Sequence, residues 1–503
     1  MNTPSISSNV VSNLASNGVV ALMSLLFVPV YIHVLGIEAY GLIGFFASIQ
    51  VVFALLDLGL GAATNRELAR LSVDPQEKGT ARQFTRTLEV LYWLTAVILG
   101  LAMAMLAPFL AGKWVNLQNL SLREAEHALI LMALAFAARW PFALYAGALT
   151  GLERQPVLNR LKVSAEILRS GGAAIVLLFV SPTLSAFLTW QIGISLLASM
   201  AAAWTTWKVL PSSTIPARFD WTQLRRVQRY MIGISGIAVT VAVLTQMDKL
   251  ILSKLLSLEN FGYYTLAWTV ANALSILIGP VFSAYFPSLS RAVAMSDEEA
   301  LRSLYHRASQ LMAGLILPIG ITLAFFSRDV LQLWTQDPPL AEKTHAVLSI
   351  LLLGTIINGL MNIPYGLLLA YGWTSLPFYA NLAAIAVLFP LVVVLTNLFG
   401  PVGAATAWLA LNAGHMLITQ QILHRRILPA EKSRWYVDDT LKPFLIAVAI
   451  TSASKLLLNE MTSTQFAIAG TAVLFVTAAA CVWSLQHLRA RSLAAARRLF
   501  VVS

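Results

Sequence analysis

Charge is the scarcest commodity in this chain: only 11% of its 503 residues are Asp, Glu, Lys or Arg. Soluble domains carry about 25%, so a soluble globular protein is excluded. Cysteine is almost missing. The single Cys481 lies inside an apolar run and allows neither an intramolecular disulfide nor a metal-binding thiolate cluster. The opening residues MNTPSISSNVVS hold no Lys or Arg. The basic start of a cleavable signal is therefore absent, and the first apolar stretch is expected to remain as an anchor. No GxxxxGK[ST] occurs, which excludes a P-loop pump. No His/Cys/Asp group has metal-ligand spacing, no cofactor is implied, and the loops are too short to house a soluble catalytic domain. An enzyme is not expected.

What the chain has instead is apolar length. Hydrophobic residues make up 58% of it, in unbroken runs that each suffice to cross a bilayer as a helix of about 20 residues. A membrane barrel would show short alternating strands. The fold class is therefore all-α and polytopic, with about 14 transmembrane helices. The expected spans are 10–34, 40–66, 84–110, 124–151, 158–180, 184–208, 228–256, 260–289, 305–328, 343–371, 375–399, 402–424, 441–460 and 464–487.

An even number of spans puts both termini on one side. That side then holds most of the 34 lysines and arginines, while the other holds only Lys113, Arg123, Lys249, Lys254, Arg328, Lys343 and Lys455. The positive-inside rule makes the richer side cytoplasmic. The net charge of +11 is explained by this topology, and no nucleic-acid partner is implied.

The chain also repeats itself. VLGIEAYG at 34–41 aligns with LLSLENFG at 255–262, an offset of 221 that also brings Arg70 onto Arg291, Arg86 onto Arg307, Gly151 onto Gly372, Pro156 onto Pro377 and Gly193 onto Gly414. Six spans per repeat is an even number, so the halves share one orientation and form a parallel repeat of the kind found in secondary transporters, with access alternating between them. The expected organisation is a six-helix lobe over 1–210, an interfacial cytoplasmic linker over 211–229, a second six-helix lobe over 230–428, and two extra helices with a basic tail over 429–503.

Two arginines stand out because they fall near mid-span: Arg139 in HALILMALAFAARWPFALYAG and Arg169 in RLKVSAEILRSGGAAIVLLFV. A mid-bilayer charge costs several kcal/mol and faces a bundle interior or a wet cavity. Their repeat counterparts are Leu360 and Pro390, and Arg160, Lys162 and Glu166 fall on Asn381, Ala383 and Val387. Only the first half kept these charges, which argues for a function located there. Lys162, Glu166 and Arg169 have helical spacing and can form one ladder on one face. The set carries excess positive charge and suits an anion, since the guanidinium fork matches phosphate oxygens.

Asp57, also near mid-membrane, can pair with an arginine or carry a proton. Asn65, Arg66 and Glu67 close the same helix. Asp248 and Lys249 are adjacent on span 7; neighbours on a helix do not face each other, so Asp248 is expected to face the cavity while Lys249 snorkels outward. Asn13 and Asn17 read as polar glue between helices, and His33 and His415 as packed or interfacial histidines.

The segments VPVYIHVLGIEAYGLIGFFASIQ and LLDLGLGAATNRELAR, with TQMDKLILSKLLSLENFGYYTLAWTVAN opening the second half, resemble the polysaccharide flippases of the multidrug/oligosaccharidyl-lipid/polysaccharide (MOP) exporter superfamily. The resemblance implies a bacterial inner-membrane O-antigen-type flippase, with both termini cytoplasmic. It would move a polyprenyl-diphosphate-linked oligosaccharide from the cytoplasmic to the periplasmic leaflet of the lipid bilayer, driven by a proton or sodium gradient. A polysaccharide polymerase and a chain-length regulator are the implied partners. On that reading Arg139 and Arg169 meet the anionic headgroup, Lys162, Arg160 and Arg66 line its entry, and Asp57, Glu166 and Asp248 couple ions or hold the arginines. Two rivals stay open: a cation-coupled multidrug antiporter of the same superfamily, whose cavity should be acidic, and a non-transport scaffold of a polysaccharide assembly complex.

Overall fold

The computed structural model describes residues 6–57, 59–73, 78–212, 216–223, 243, 245–458 and 463–488. They divide into two compact units, Met1–Gly262 and Tyr263–Ser503. Among the described residues there are helices and no named strands. Ten helical stretches among the described residues are long and apolar enough to cross a membrane, with Ala469–Ser484 a shorter apolar one.

In the first unit the order is α1 (Ile6–Leu26), α2 (Val28–Leu35), α3 (Ile37–Ala54), α4 (Leu60–Val73), α5 (Lys78–Phe109), α6 (Leu122–Arg139), α7 (Phe142–Gly151), α8 (Gln155–Phe179) and α9 (Leu184–Val209). A further helix, α10, covers residues 245–255. Then α11 (Leu258–Asn272) runs on into the second unit, followed by α12 (Ser275–Ala294), α13 (Glu298–Phe325), α14 (Ser327–Thr335), α15 (Pro338–Leu360), α16 (Asn362–Ala370) and α17 (Ser375–Arg426). The chain closes with α18 (Lys432–Arg434), α19 (Lys442–Leu457) and α20 (Ser463–Ser484).

Several expected spans are helix pairs. The stretch 40–66 is interrupted by a 3-10 turn at Leu55–Asp57 and by Gly59 at φ +78°. The stretch 124–151 breaks at Trp140–Pro141, where proline withholds the N–H that would continue α6. The second unit breaks at Met361, between α15 and α16, the position 221 residues after Trp140. The spans expected at 375–399 and 402–424 are one helical run, kinked at Gly400 (φ 59°), which is followed by Pro401. α8, which carries Lys162, Glu166 and Arg169, is not among the ten apolar candidates.

The repeated Glu and Gly of VLGIEAYG have separate tasks. The buried Glu38 carboxylate accepts the backbone N–H groups of Gln118 (2.6 Å), Asn119 (2.7 Å) and Leu120 (3.2 Å). It thereby holds the loop before α6. Gly41 lets α3 cross the start of α11 so closely that a Cβ there would lie 2.4 Å from the Leu258 carbonyl oxygen. Reciprocally, a Cβ on Gly262 would lie 2.3 Å from the Ile37 oxygen. Both contacts obey the 221-residue register. α4 and α7 use the same device, with Gly147 against the Gly61 oxygen and Gly151 against the Asn65 oxygen, each 2.4 Å from an added Cβ. Small residues spaced four apart allow such approach between membrane helices.

Of the expected 211–229 linker, only 211–212 and 216–223 are described. There Trp221 is exposed and meets Phe219 edge-to-face at 5.1 Å, and Arg82 reaches the Pro211 carbonyl at 3.4 Å. Most of the basic residues expected in it, the Asn13 side chain and the basic tail after Leu488 lie outside the described residues.

Candidate functional site

The break at Trp140–Pro141 creates the site. It leaves Arg139 in the last turn of α6, where the helix dipole favours a cation. The carbonyls and rings around the break are satisfied: Ser199 donates to the Ala138 oxygen at 2.7 Å, and the Trp140 indole N–H to Thr95 Oγ1 at 3.1 Å. Facing Arg139, α8 presents Lys162, Ala165, Glu166 and Arg169 on one helical face. α8 is held in place by Tyr31, which donates to the Ser170 carbonyl (2.7 Å), and by Trp190, which donates to the Leu168 carbonyl (2.8 Å) while covering Gly172.

These elements enclose a cavity of about 260 Å³, lined by Asn17 and Val20 of α1, Arg139, Phe142 of α7, the α8 face, and Ser195 and Ala198 of α9. With about 30 Å³ per water, it has room for roughly nine waters. That volume is below the range of whole drug-sized ligands, about 300–1,000 Å³. It suits a headgroup rather than an oligosaccharide.

Within it Glu166 is bound on both oxygens: Arg169 Nη1 at 3.0 Å and Ser170 Oγ at 2.8 Å. Both partners of the ion pair keep 15% side-chain exposure. Arg169 Nε is buried and has no hydrogen-bond partner. Arg139 and Lys162 have no carboxylate partner among the described residues. The expected three-membered ladder is therefore only a pair. Lys162, one turn before Glu166, makes no ion pair with it. Three cations face one anion, a formal +2 on a cavity of about 260 Å³.

The other expected site residues lie elsewhere. Arg160 is exposed, with its Nε 3.4 Å from the Pro156 oxygen. Arg66 is exposed on α4. Neither lines the cavity. Among the described residues Asp57 pairs with no arginine: its carboxylate accepts the Tyr92 hydroxyl and the Gly61 N–H (3.2 Å), because the 3-10 turn aims it at α5 and at the first turn of α4. Lys249 does not snorkel. It is 8% exposed and folds back onto the Thr245 oxygen (2.8 Å) and Asp248 Oδ1 (3.4 Å), with Asp248 itself 4% exposed. A flexible four-carbon stem overcomes the unfavourable i,i+1 geometry when both charges are buried.

Two polar centres were missed. Glu89 on α5 is 6% exposed and accepts the Tyr145 hydroxyl (2.7 Å), the Trp207 indole N–H (2.9 Å) and Arg86 Nη1 (2.6 Å). The Arg86/Glu89 i,i+3 spacing was its only local signal. His306 on α13 is fully buried between two carboxylates that follow it by 125 and 133 residues. Nothing local announces that.

Two helical units rich in apolar spans, one of them holding a cationic chamber, define a polytopic membrane protein. Its fold matches the lipid II flippase MurJ in its inward closed conformation, with a TM-score of 0.66 at 15% identity over 93% of this chain and 97% of that one. It also matches an inward-facing multidrug resistance MATE family transporter of the MOP superfamily, with a TM-score of 0.65 at 14% identity over 84% and 96%. The family model described as "Polysaccharide biosynthesis protein" matches residues 6–293, and the MatE model matches 234–394. The chain belongs to the polysaccharide biosynthesis protein family. Among curated relatives it is 21% identical to a candidate O-antigen transporter of Shigella flexneri, over 80% of this chain and 94% of that one.

Proposed function

We propose that this protein is a flippase for polyprenyl-diphosphate-linked oligosaccharides, the lipid-linked units of O-antigen or another surface polysaccharide. It carries them from the cytoplasmic to the periplasmic leaflet of the bacterial inner membrane by alternating access, coupled to a proton or sodium gradient, with both termini cytoplasmic. The observation that carries this reading is the cavity in which Arg139 and Lys162 have no counterion among the described residues and Arg169 keeps an unpartnered buried Nε. Lys162 and Arg169 are half-buried and Arg139 is exposed; cations gathered on one cavity in excess of carboxylates favour an anion, and guanidinium groups bind phosphate oxygens bidentately. The polyprenyl tail stays in lipid and the glycan lies outside this small chamber. Glu166 sets the register of Arg169, and a polymerase with its chain-length regulator would receive the product.

The test is complementation of a flippase-null strain at matched membrane levels, reading surface polysaccharide. Arg139→Ala should abolish it and Arg139→Lys restore it in part. An alanine variant equal to wild type sinks the anion site and favours a scaffold. The second reading, a multidrug antiporter, is supported by the MATE likeness. Its organic cations would have to enter a chamber of net positive charge. Raised resistance to cationic drugs on expression, without rescue of polysaccharide export, would establish it instead.

A further inference from the structure

We propose that His306, Asp439 and Glu431 form a proton-binding site that fastens the 429–441 connection to α13 and releases it when the proton is lost. The site lies in the second unit. It owes nothing to the anion cavity.

The argument is a count of protons. His306 has 1% side-chain exposure, Asp439 none and Glu431 13%. The Nδ1 of His306 is 2.5 Å from Asp439 Oδ2, and Nε2 is 2.9 Å from Glu431 Oε2. A carboxylate only accepts, so each contact needs its own proton, and a neutral imidazole brings one. The second must be bound in addition, and we place it on the ring.

The neighbours fix how Asp439 is held. Gln310 Oε1 accepts the backbone N–H of His487 at 2.9 Å, a group that can only donate. This sets the amide orientation, so Gln310 Nε2 donates to Asp439 Oδ1 at 2.8 Å. Both Asp439 oxygens are thereby used. Nearby His424 is the control: its Nδ1 lies 2.9 Å from the Gln420 carbonyl and its Nε2 3.2 Å from the Tyr305 hydroxyl. One N–H and one lone pair satisfy both, so His424 needs no extra proton.

The surrounding charges have been distributed to suit. From α13 come Arg302, whose Nε is 3.7 Å from Glu431 Oε1, and Arg307 nearby. From the connection come Arg434, 3.9 Å from Glu431 Oε2, Lys432, and Tyr436. α17 supplies His424, and the segment after α20 supplies His487. The arginines hold Glu431 but leave Asp439 to His306 and Gln310. Asp439 sits in the π-helical stretch Trp435–Leu441, a widened turn of the kind that marks functional points in helices. Without the second proton, a ring lone pair faces a fully buried carboxylate. The connection that leads into α19 then loses its strongest tie to α13.

The substitution Asp439→Asn separates this from ordinary packing. An asparagine amide donates to the Nδ1 lone pair and still accepts from Gln310, so a neutral ring satisfies the whole site. Hydrogen exchange of 429–441 would be followed from pH 6 to pH 10, on the full chain in nanodiscs and corrected for intrinsic rates. Wild type should lose protection on the alkaline side by about 10- to 100-fold, as expected for one charge-assisted hydrogen bond. D439N should stay protected throughout. Flat wild-type protection, or a D439N loss matching wild type, overturns the proposal. Should D439N not fold, selective 15N-histidine labelling of wild type decides. Two protonated ring nitrogens on His306 at neutral pH support the site, and one bare nitrogen refutes it.

Discussion

Replacing Glu166 by glutamine should weaken the empty protein and strengthen its hold on an anion. The amide keeps the shape: its oxygen can accept from Arg169 while its nitrogen donates to Ser170 Oγ, replacing contacts of 3.0 and 2.8 Å. Only the charge is lost, leaving three cations unopposed. A fully buried pair broken this way costs about 3–5 kcal/mol. Here both side chains keep 15% exposure and the hydrogen bonds persist, so about 1–3 kcal/mol is expected. An anion on the far side of Arg169, about 7 Å from the missing carboxylate, is relieved of about 2 kcal/mol of repulsion at an effective dielectric constant near 20. Water in the cavity can halve that. Affinity should therefore rise about 5- to 30-fold. The assay is thermal unfolding of nanodisc-embedded protein titrated with inorganic pyrophosphate. E166Q should start lower than wild type and gain more from the ligand. Equal or smaller gains would refute the claim that these cations act on a common anion.

Other substitutions test neighbouring steps. Arg139→Lys keeps the charge but loses the fork, so pyrophosphate affinity should fall about tenfold, and Arg139→Ala about 10- to 150-fold, the worth of one charge-assisted hydrogen bond, measured by the same titration. Gly147→Val places branched carbon where even a Cβ would lie 2.4 Å from the Gly61 oxygen. Folded yield in detergent, read by size-exclusion chromatography, should collapse, since backbone cannot step aside in the α4–α7 crossing. Glu38→Gln leaves a single acceptor oxygen, turns an NH2 toward at least one of the three backbone N–H donors, and should cost about 1.5–3 kcal/mol. Limited proteolysis should show faster cleavage at 116–121 while the helices stay intact.

Much was readable without coordinates because membrane physics is local. A stretch of apolar residues long enough for the bilayer must be helical, wherever its neighbours lie. A charge inside such a stretch must be accommodated. That logic found Arg139, Lys162, Glu166 and Arg169, and they do share one cavity, because α8 carries three of them at helical spacing and Pro141 ends α6 beside the fourth. It failed for Arg66 and Arg160, which do not line the cavity: both are exposed, Arg66 in the middle of α4 and Arg160 in the second turn of α8. It failed too for Asp57, whose partner Tyr92 comes from another helix.

The pattern of side chains along the chain was enough to determine the class of fold, the repeat register and the candidate cations, since hydropathy and spacing depend on residues within a few turns. Tertiary structure alone decided which charges are neutralised. Arg169 has Glu166 three residues away, and that could be foreseen. Glu89 is held by Tyr145 and Trp207, and His306 by Glu431 and Asp439, groups separated in sequence by dozens of residues or more. Whether a buried charge is a free site or a satisfied one depends on what packing brings within about 3 Å of it, and no local pattern encodes that distance.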